Sequence, residues 1–302
     1  MKLMRVLIPI VLTLVASSVG AEPLPSPLPL SWCLTRAAAE NPSIAVDLAL
    51  RDAAEQRIVP AGALEDPRLR YEASNIPTGD RDFGSTPLSG HQFGLSQRVP
   101  FPGLLSNREA AAKAGANAAS FALQDRELAV AAAVESAWAE LGFAQRALGI
   151  TEQNIDLLRQ LARIAEAKYR VGTGLQQDVL RAQVELTALL DEKLSREAAV
   201  ERASARLAAL LDLPAGIAFP ETEPLTDSSS FPELPTLAAS LEETNAQLLS
   251  LKAAVEESKR LVRVSELVSY PDFDRGRGYR VRERVAGDPV VGDVFIGASV
   301  TG

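Results

Sequence analysis

Apolar side chains follow a 4-3 spacing along 130–169: Val130, Val134, Ala137, Leu141, Ala144, Leu148, Thr151, Ile155, Leu158, Ala162, Ala165 and Tyr169. Only Thr151 breaks the apolar run. A sustained 3.5-residue repeat is the seam of a coiled coil, and its small alanine knobs allow close helix approach. The stretch 104–169 has no proline, so one unbroken helix is expected, ending at Val171-Gly172-Thr173-Gly174, where glycines supply a cap and a tight turn. A second helix is expected over 175–211, with Val179, Ala182, Leu186 and Leu189 on one face and Pro214 as its stop. An earlier helix opens at Asn41-Pro42, where Asn caps and Pro fits the first turn, and runs to about Leu64 with a kink at Pro60. As one helix, 104–170 extends roughly 100 Å, and 42–64 and 175–211 end to end reach roughly 90 Å. The two shorter helices therefore match the long one in length. Such a body suits a protein that spans distance better than one that encloses an active site.

Between the helices the period changes from 3.5 to 2. In 67–75, Leu69, Tyr71 and Ala73 alternate with Arg68, Arg70, Glu72 and Ser74. In 91–99, Phe93, Leu95 and Val99 alternate with Gln92, Gly94, Ser96 and Arg98. Each segment has the length and alternation of a tilted membrane β-strand, apolar toward lipid and polar toward a lumen. An amphipathic hairpin packed on a soluble core has the same pattern, and the alternation leaves both open.

The ends add two constraints. Lys2 and Arg5 precede an apolar run over 6–15, and Val19 and Ala21 place small residues before a cleavage point. This reads as a secretory signal peptide, cut after Ala21. Its apolar run reaches only ~15 Å as a helix, half of a bilayer core. No later stretch has the ~18 consecutive apolar residues of a membrane-crossing helix.

The chain also repeats itself. At a constant offset Asn41 recurs as Asn245, Ile44 as Leu248, Ile58 as Val262, Pro67 as Pro271 and Leu69 as Phe273. The expected organisation is a signal peptide at 1–21, a first repeat at 22–211, a Pro/Ser-rich linker at 212–235 and a second repeat at 236–302. In the second copy a helix is expected over 236–268, a strand from Asp272 and another over 294–300, with no counterpart to 99–211. The second repeat thus reads as truncated, and its helix as deprived of the long helix it would pack against.

Composition excludes several classes. The 302 residues are 47% hydrophobic, which suits a large folded body, but only 5% aromatic. One Cys and one His rule out a disulfide framework and a Cys/His zinc site within one chain, and Cys33 reads as a lone buried thiol. The net charge of -8, without dense basic runs, makes nucleic acid a poor partner. No Ser/His/Asp set is available beyond His91, and Gly276-x-Gly278 belongs to a strand rather than a phosphate loop. Asp80 and Asp82 read as solvated turn residues. No cofactor or metal is expected, and an enzyme is the least favoured class.

Glu40-Asn41-Pro42, Asp66-Pro67-Arg68, Gln97-Arg98-Val99-Pro100-Phe101-Pro102-Gly103, Tyr169-Arg170-Val171-Gly172-Thr173-Gly174-Leu175, Asp178-Val179-Leu180-Arg181-Ala182-Gln183 and Tyr270-Pro271-Asp272-Phe273 occur in this order. In these pieces the chain resembles the TolC-like outer-membrane efflux proteins, in particular their heavy-metal-exporting branch. The resemblance implies a mainly α fold with long antiparallel coiled-coil helices forming a periplasmic tunnel, plus β-strands of a trimeric outer-membrane β-barrel. It implies a homotrimer in the outer membrane, working with a periplasmic adaptor protein and an inner-membrane pump to export metal ions or small molecules. It also assigns two sites. Val171, Gly172, Thr173, Gly174 and Leu175 match the adaptor-docking turn, and Asp178 matches a gate residue near the tunnel tip. From the residues alone, the same turn is an ordinary helix connection, and Asp178 a charge stabilised by a helix N-terminus.

Arg275 and Arg277 depart from the barrel pattern. By the repeat they fall at the positions of Tyr71 and Ala73, on the supposed lipid face, where each costs about 2–4 kcal/mol at mid-bilayer and less near the rim. A soluble periplasmic coiled-coil scaffold and a non-functional fragment are the alternative readings.

Overall fold

The computed structural model describes residues 24–74, 89–224, 233–282 and 292–301. The signal peptide and Asp80 and Asp82 lie outside them. Among the described residues the element order is α1 (Leu30–Glu40), α2 (Pro42–Gln56), α3 (Ile58–Gly62), β1 (Arg68–Ser74), β2 (Gly90–Val99), α4 (Leu104–Arg170), α5 (Gln176–Leu210), α6 (Leu234–Thr244), α7 (Ala246–Val268), β3 (Asp272–Arg282) and β4 (Gly292–Thr301). The fold is mainly α, as expected, and α4 is one unbroken helix of 67 residues. No described helix is long and apolar enough to cross a membrane.

The chain divides into two compact units. One is built from the described parts of Met1–Cys33, Trp138–Arg206 and Ala215–Leu225. Here the second half of α4 carries the expected seam. Leu141, Ala144, Thr151 and Ile155 are buried, and Leu158, Ala162 and Ala165 are half-buried toward the turn. Thr151 is tolerated because its hydroxyl donates to the Ala147 carbonyl of its own helix at 3.0 Å. Cross-helix pairs Glu152–Lys193 at 2.7 Å and Glu140–Arg206 at 2.9 Å hold α5 alongside. The described start of the Pro-rich segment after α5 is clamped around Pro220 and Thr222. Leu28 bridges Thr222 as a short parallel pair, and the Trp138 indole N–H donates to the Leu28 carbonyl at 3.1 Å. Gln145 donates to the Pro220 carbonyl at 3.0 Å and accepts from the Thr222 N–H at 3.1 Å.

The other unit comprises the described parts of Leu34–Ala137, Leu207–Pro214 and Thr226–Gly302. Its core is rich in alanine: Ala111, Ala114, Ala116 and Ala137 are buried on α4 with Leu104, Leu123, Val130 and Val134. On one side, α2 pairs with α4 through Asp47–Arg126 at 2.8 Å. On another, α7 packs on α4 through the Ser250 hydroxyl, which donates to the Ala118 carbonyl at 2.9 Å. The second-repeat helix, expected to lack the long helix of its own repeat, thus lies against the first half of α4.

Asn41 joins two helices. Its side-chain oxygen accepts from the Ser43 N–H at 2.9 Å and caps α2, while its amide donates to the Leu210 carbonyl, at the end of α5, at 2.9 Å. Asn41 thus ties the start of α2 to the last residues of α5, reinforced by Arg36, which donates to the Leu211 carbonyl at 3.2 Å. The repeat is visible here as well. Asn245 caps α7 by accepting from the Leu248 N–H at 2.8 Å. The helix expected over 236–268 therefore breaks at Asn245 into α6 and α7. The kink expected at Pro60 appears as a break at Arg57, between α2 and α3. Proline lacks the N–H that would bond four residues back and its ring crowds that carbonyl, so the disturbance falls ahead of it.

Cys33 is fully buried and unpaired to any other cysteine. Burial pushes its thiol up to about 11. Iodoacetamide at pH 8 is expected to leave it unmodified in the folded protein and to alkylate it after denaturation, read by intact mass, since the thiolate is the nucleophile.

Candidate functional site

The four strands form one antiparallel sheet of order β1-β2-β3-β4. The first-repeat strand β2 pairs with the second-repeat strand β3 over its full length, Phe93 opposite Tyr279 and Leu95 opposite Arg277. Register then sorts every side chain, because the strand period is 2. One face carries Leu69, Tyr71, Phe93, Leu95, Phe273, Tyr279, Val294, Ile296 and Val300, all exposed; Leu69 and Ile296 are each 81% accessible. The other carries Arg68, Arg70, Glu72, Gln92, Ser96, Arg98, Asp272, Asp274, Arg280, Arg282 and Asp293. Arg275 and Arg277 stand on the apolar face, as the repeat had placed them. Within this sheet β1 and β4 are the edge strands.

An aromatic cluster crosses the apolar face. Tyr71 lies 5.2 Å from Phe93 between ring centres and 5.9 Å from His91, and the Tyr71 hydroxyl is 2.8 Å from His91 Nδ1. At the helical end Asp272 forms a corner. Its carboxylate accepts from Arg98 Nη2 at 2.6 Å, from Arg98 Nε at 2.8 Å and from the Phe101 N–H at 3.2 Å, while Phe101 stacks on Tyr270 at 4.6 Å. Two motifs 174 residues apart, around Arg98 and around Asp272, are thus one structural joint.

The turn between α4 and α5 is built on Gly172, whose φ of +75° is the left-handed region. That geometry lets Thr173 N–H and Gly174 N–H both reach the Lys168 carbonyl, at 2.9 and 3.0 Å, and close the helix end. Val171 and Leu175 flank the turn and are 72% and 64% exposed. Asp178 stands exposed in the first turn of α5. It makes no ion pair among the described residues, while its backbone N–H donates to the Leu175 carbonyl at 3.1 Å. The structure therefore brings Val171, Gly172, Thr173, Gly174, Leu175 and Asp178 together at one end of the hairpin.

A second ladder went unread in the sequence. Phe143, Ile150, Leu157, Leu161 and Ile164 lie on α4 at spacings of seven, seven, four and three, and all are exposed. On α5, Leu180, Val184 and Leu194 are exposed in the same way. The heptad spacing was present to be found, but it runs one position out of step with the buried seam.

The family model for outer membrane efflux proteins matches residues 33–212. The chain belongs to the outer membrane efflux protein family. Solved structures share its fold. The outer-membrane channel OprN aligns at TM-score 0.70 and 18% identity, covering 90% of this chain and 63% of that one. CusC, described by conformational changes accompanying folding and transmembrane channel formation, aligns at 0.71 and 15%, covering 90% and 64%. The outer membrane protein VceC from Vibrio cholerae aligns at 0.69 and 16%, covering 90% and 67%. This chain thus spans less than two thirds of the length of OprN and CusC. None of the curated proteins matches it. Family membership places the chain in the outer membrane. Among the described residues no group of His, Cys, Asp or Glu is arranged to hold a metal ion.

Proposed function

We propose that this chain is a protomer of a trimeric outer-membrane channel that exports metal ions or small molecules, passing solute without chemistry. The sheet carries this reading. Its exposed apolar face suits lipid and its charged face suits a water-filled lumen. A four-stranded sheet with two edges cannot stand in a bilayer alone, since every backbone group there needs a partner. Three copies joining β4 to β1 close a twelve-stranded barrel and remove all edges. The exposed ladders on α4 and α5 supply matching contacts between the helices of neighbouring copies. In this reading 22–211 is the first repeat, 212–235 the linker and 236 the start of the second.

The turn Val171, Gly172, Thr173, Gly174 and Leu175 is the docking surface for a periplasmic adaptor, itself coupled to an inner-membrane pump. A glycine turn with two exposed apolar flanks lets another hairpin approach closely. Asp178, one per protomer, forms a carboxylate ring at the tip, which gates the tunnel and favours cations. Fractionation and mass test the proposal together. The chain is expected in the carbonate-washed outer-membrane pellet, and in detergent at the mass of three chains. A water-soluble monomer in the periplasmic fraction overturns it.

A further inference from the structure

Arg275 and Arg277 are the only charged residues on the apolar face of the described sheet. Their cross-strand neighbours are Gln97 and Ala298 for Arg275, and Leu95 and Ile296 for Arg277. Along β3 they stand between Phe273 and Tyr279. All four carboxylates of the strands, Glu72, Asp272, Asp274 and Asp293, are on the opposite face. The arginines there use them: Arg70 pairs with Glu72 at 3.0 Å, Arg98 with Asp272 at 2.6 Å and Arg282 with Asp293 at 3.2 Å. Arg275 and Arg277 are exposed and make no ion pair among the described residues. Two guanidinium groups on an apolar surface need an anion that the described residues do not supply.

We propose that Arg275 and Arg277 bind the phosphate headgroup of an anionic phospholipid in the periplasmic leaflet. The inference rests on the lipid-facing reading of the apolar face. Three observations select this occupant. The two positions, i and i+2 on one strand, lie about 7 Å apart, so their side chains straddle one phosphate. Guanidinium groups grip phosphate oxygens in pairs, as an ammonium does not. Finally, Arg275 falls in the first half of β3 and Arg277 at its middle, and the strand's start at Asp272 follows closely on the end of α7 at Val268. Since no described helix can cross a membrane, that end marks the bilayer boundary, and the stacked Tyr270 and Phe101 stand there as interfacial aromatics do. Arg275 is about 10 Å and Arg277 about 17 Å along the tilted strand from Asp272, and long side chains reach back toward the interface. Phosphates of the opposite leaflet lie beyond the far end of β3. Gln97, opposite Arg275, adds an amide donor to the same patch.

The test is native mass spectrometry of the full chain in detergent, titrated with phosphatidylglycerol, with phosphatidylethanolamine and with lipopolysaccharide. Wild type is expected to bind phosphatidylglycerol at least tenfold more tightly than the Arg275→Leu/Arg277→Leu variant. The Gln/Gln variant is expected to repeat that loss and the Lys/Lys variant to recover part of it. Arg70→Leu, on the opposite face, is expected to bind as wild type. Flotation with vesicles separates the two levels of the claim. If wild type floats and binds phosphatidylglycerol no better than its double variants, the arginine site is overturned and the lipid-facing reading stands. Arginine-dependent binding of lipopolysaccharide in preference to phosphatidylglycerol overturns the choice of leaflet. A wild type that does not float overturns both the face assignment and the site.

Discussion

Gly172→Pro is expected to abolish adaptor binding while leaving the protein in the outer membrane. The residue's φ of +75° is closed to proline, whose ring holds φ near −65°. The substitution also removes the N–H that donates to the Tyr169 carbonyl at 3.0 Å. Without the left-handed residue, Thr173 and Gly174 no longer reach the Lys168 carbonyl together, and Val171 and Leu175 change direction. Space is not the obstacle, since a Cβ at this position meets nothing within 4 Å. Gly172→Ala therefore carries only backbone strain, about 1–2 kcal/mol, and is expected to weaken docking modestly. The measurement is adaptor affinity on the purified channel, with a drop of at least tenfold for the proline variant. Unchanged affinity removes the turn from the docking site and leaves it a helix connection.

Leu141→Ala is expected to destabilise the helical hairpin by about 2–5 kcal/mol, the range for emptying a buried leucine site. Leu141 is fully buried in the α4 seam. The informative comparison is Phe143→Ala, two residues away on the exposed ladder and 66% accessible. Its removal is expected to leave the unfolding midpoint of the dissociated chain within the small range of surface changes, about 0.5 kcal/mol. In the trimer the same variant is expected to weaken association, because its ring is read as covered by a neighbouring helix there. Denaturant melts followed by helical circular dichroism measure the first effect, and chain mass against concentration in detergent the second. Equal loss of unfolding stability in the two variants contradicts the separation of the seams.

The legible parts of this protein were those set by period. The 3.5-residue ladder over 130–169 and the absence of proline from 104 on marked α4 as one helix, and the period-2 alternation marked the faces of the strands. Local chemistry was legible too, in the cap at Asn41 and the turn at Gly172, whereas the cap at Asn245 was hidden inside one expected helix. Helix α1, 11 residues long, was not foreseen, because it is too short to show a sustained period. The second ladder was missed because an exposed apolar stripe only stands out once the buried one is known.

What the sequence by itself determined was which residues form helix and strand and which side of each is apolar, because those follow from spacing within one segment. Only the tertiary structure decided who pairs with whom. It joined β2 to β3 across the two repeats, tied Arg98 to Asp272, set Asn41 against the end of α5 and laid α7 on the first half of α4. It also placed every strand carboxylate on the face opposite Arg275 and Arg277. Such pairings depend on residues far apart in the chain meeting in space, and a single segment's spacing carries no record of its partner.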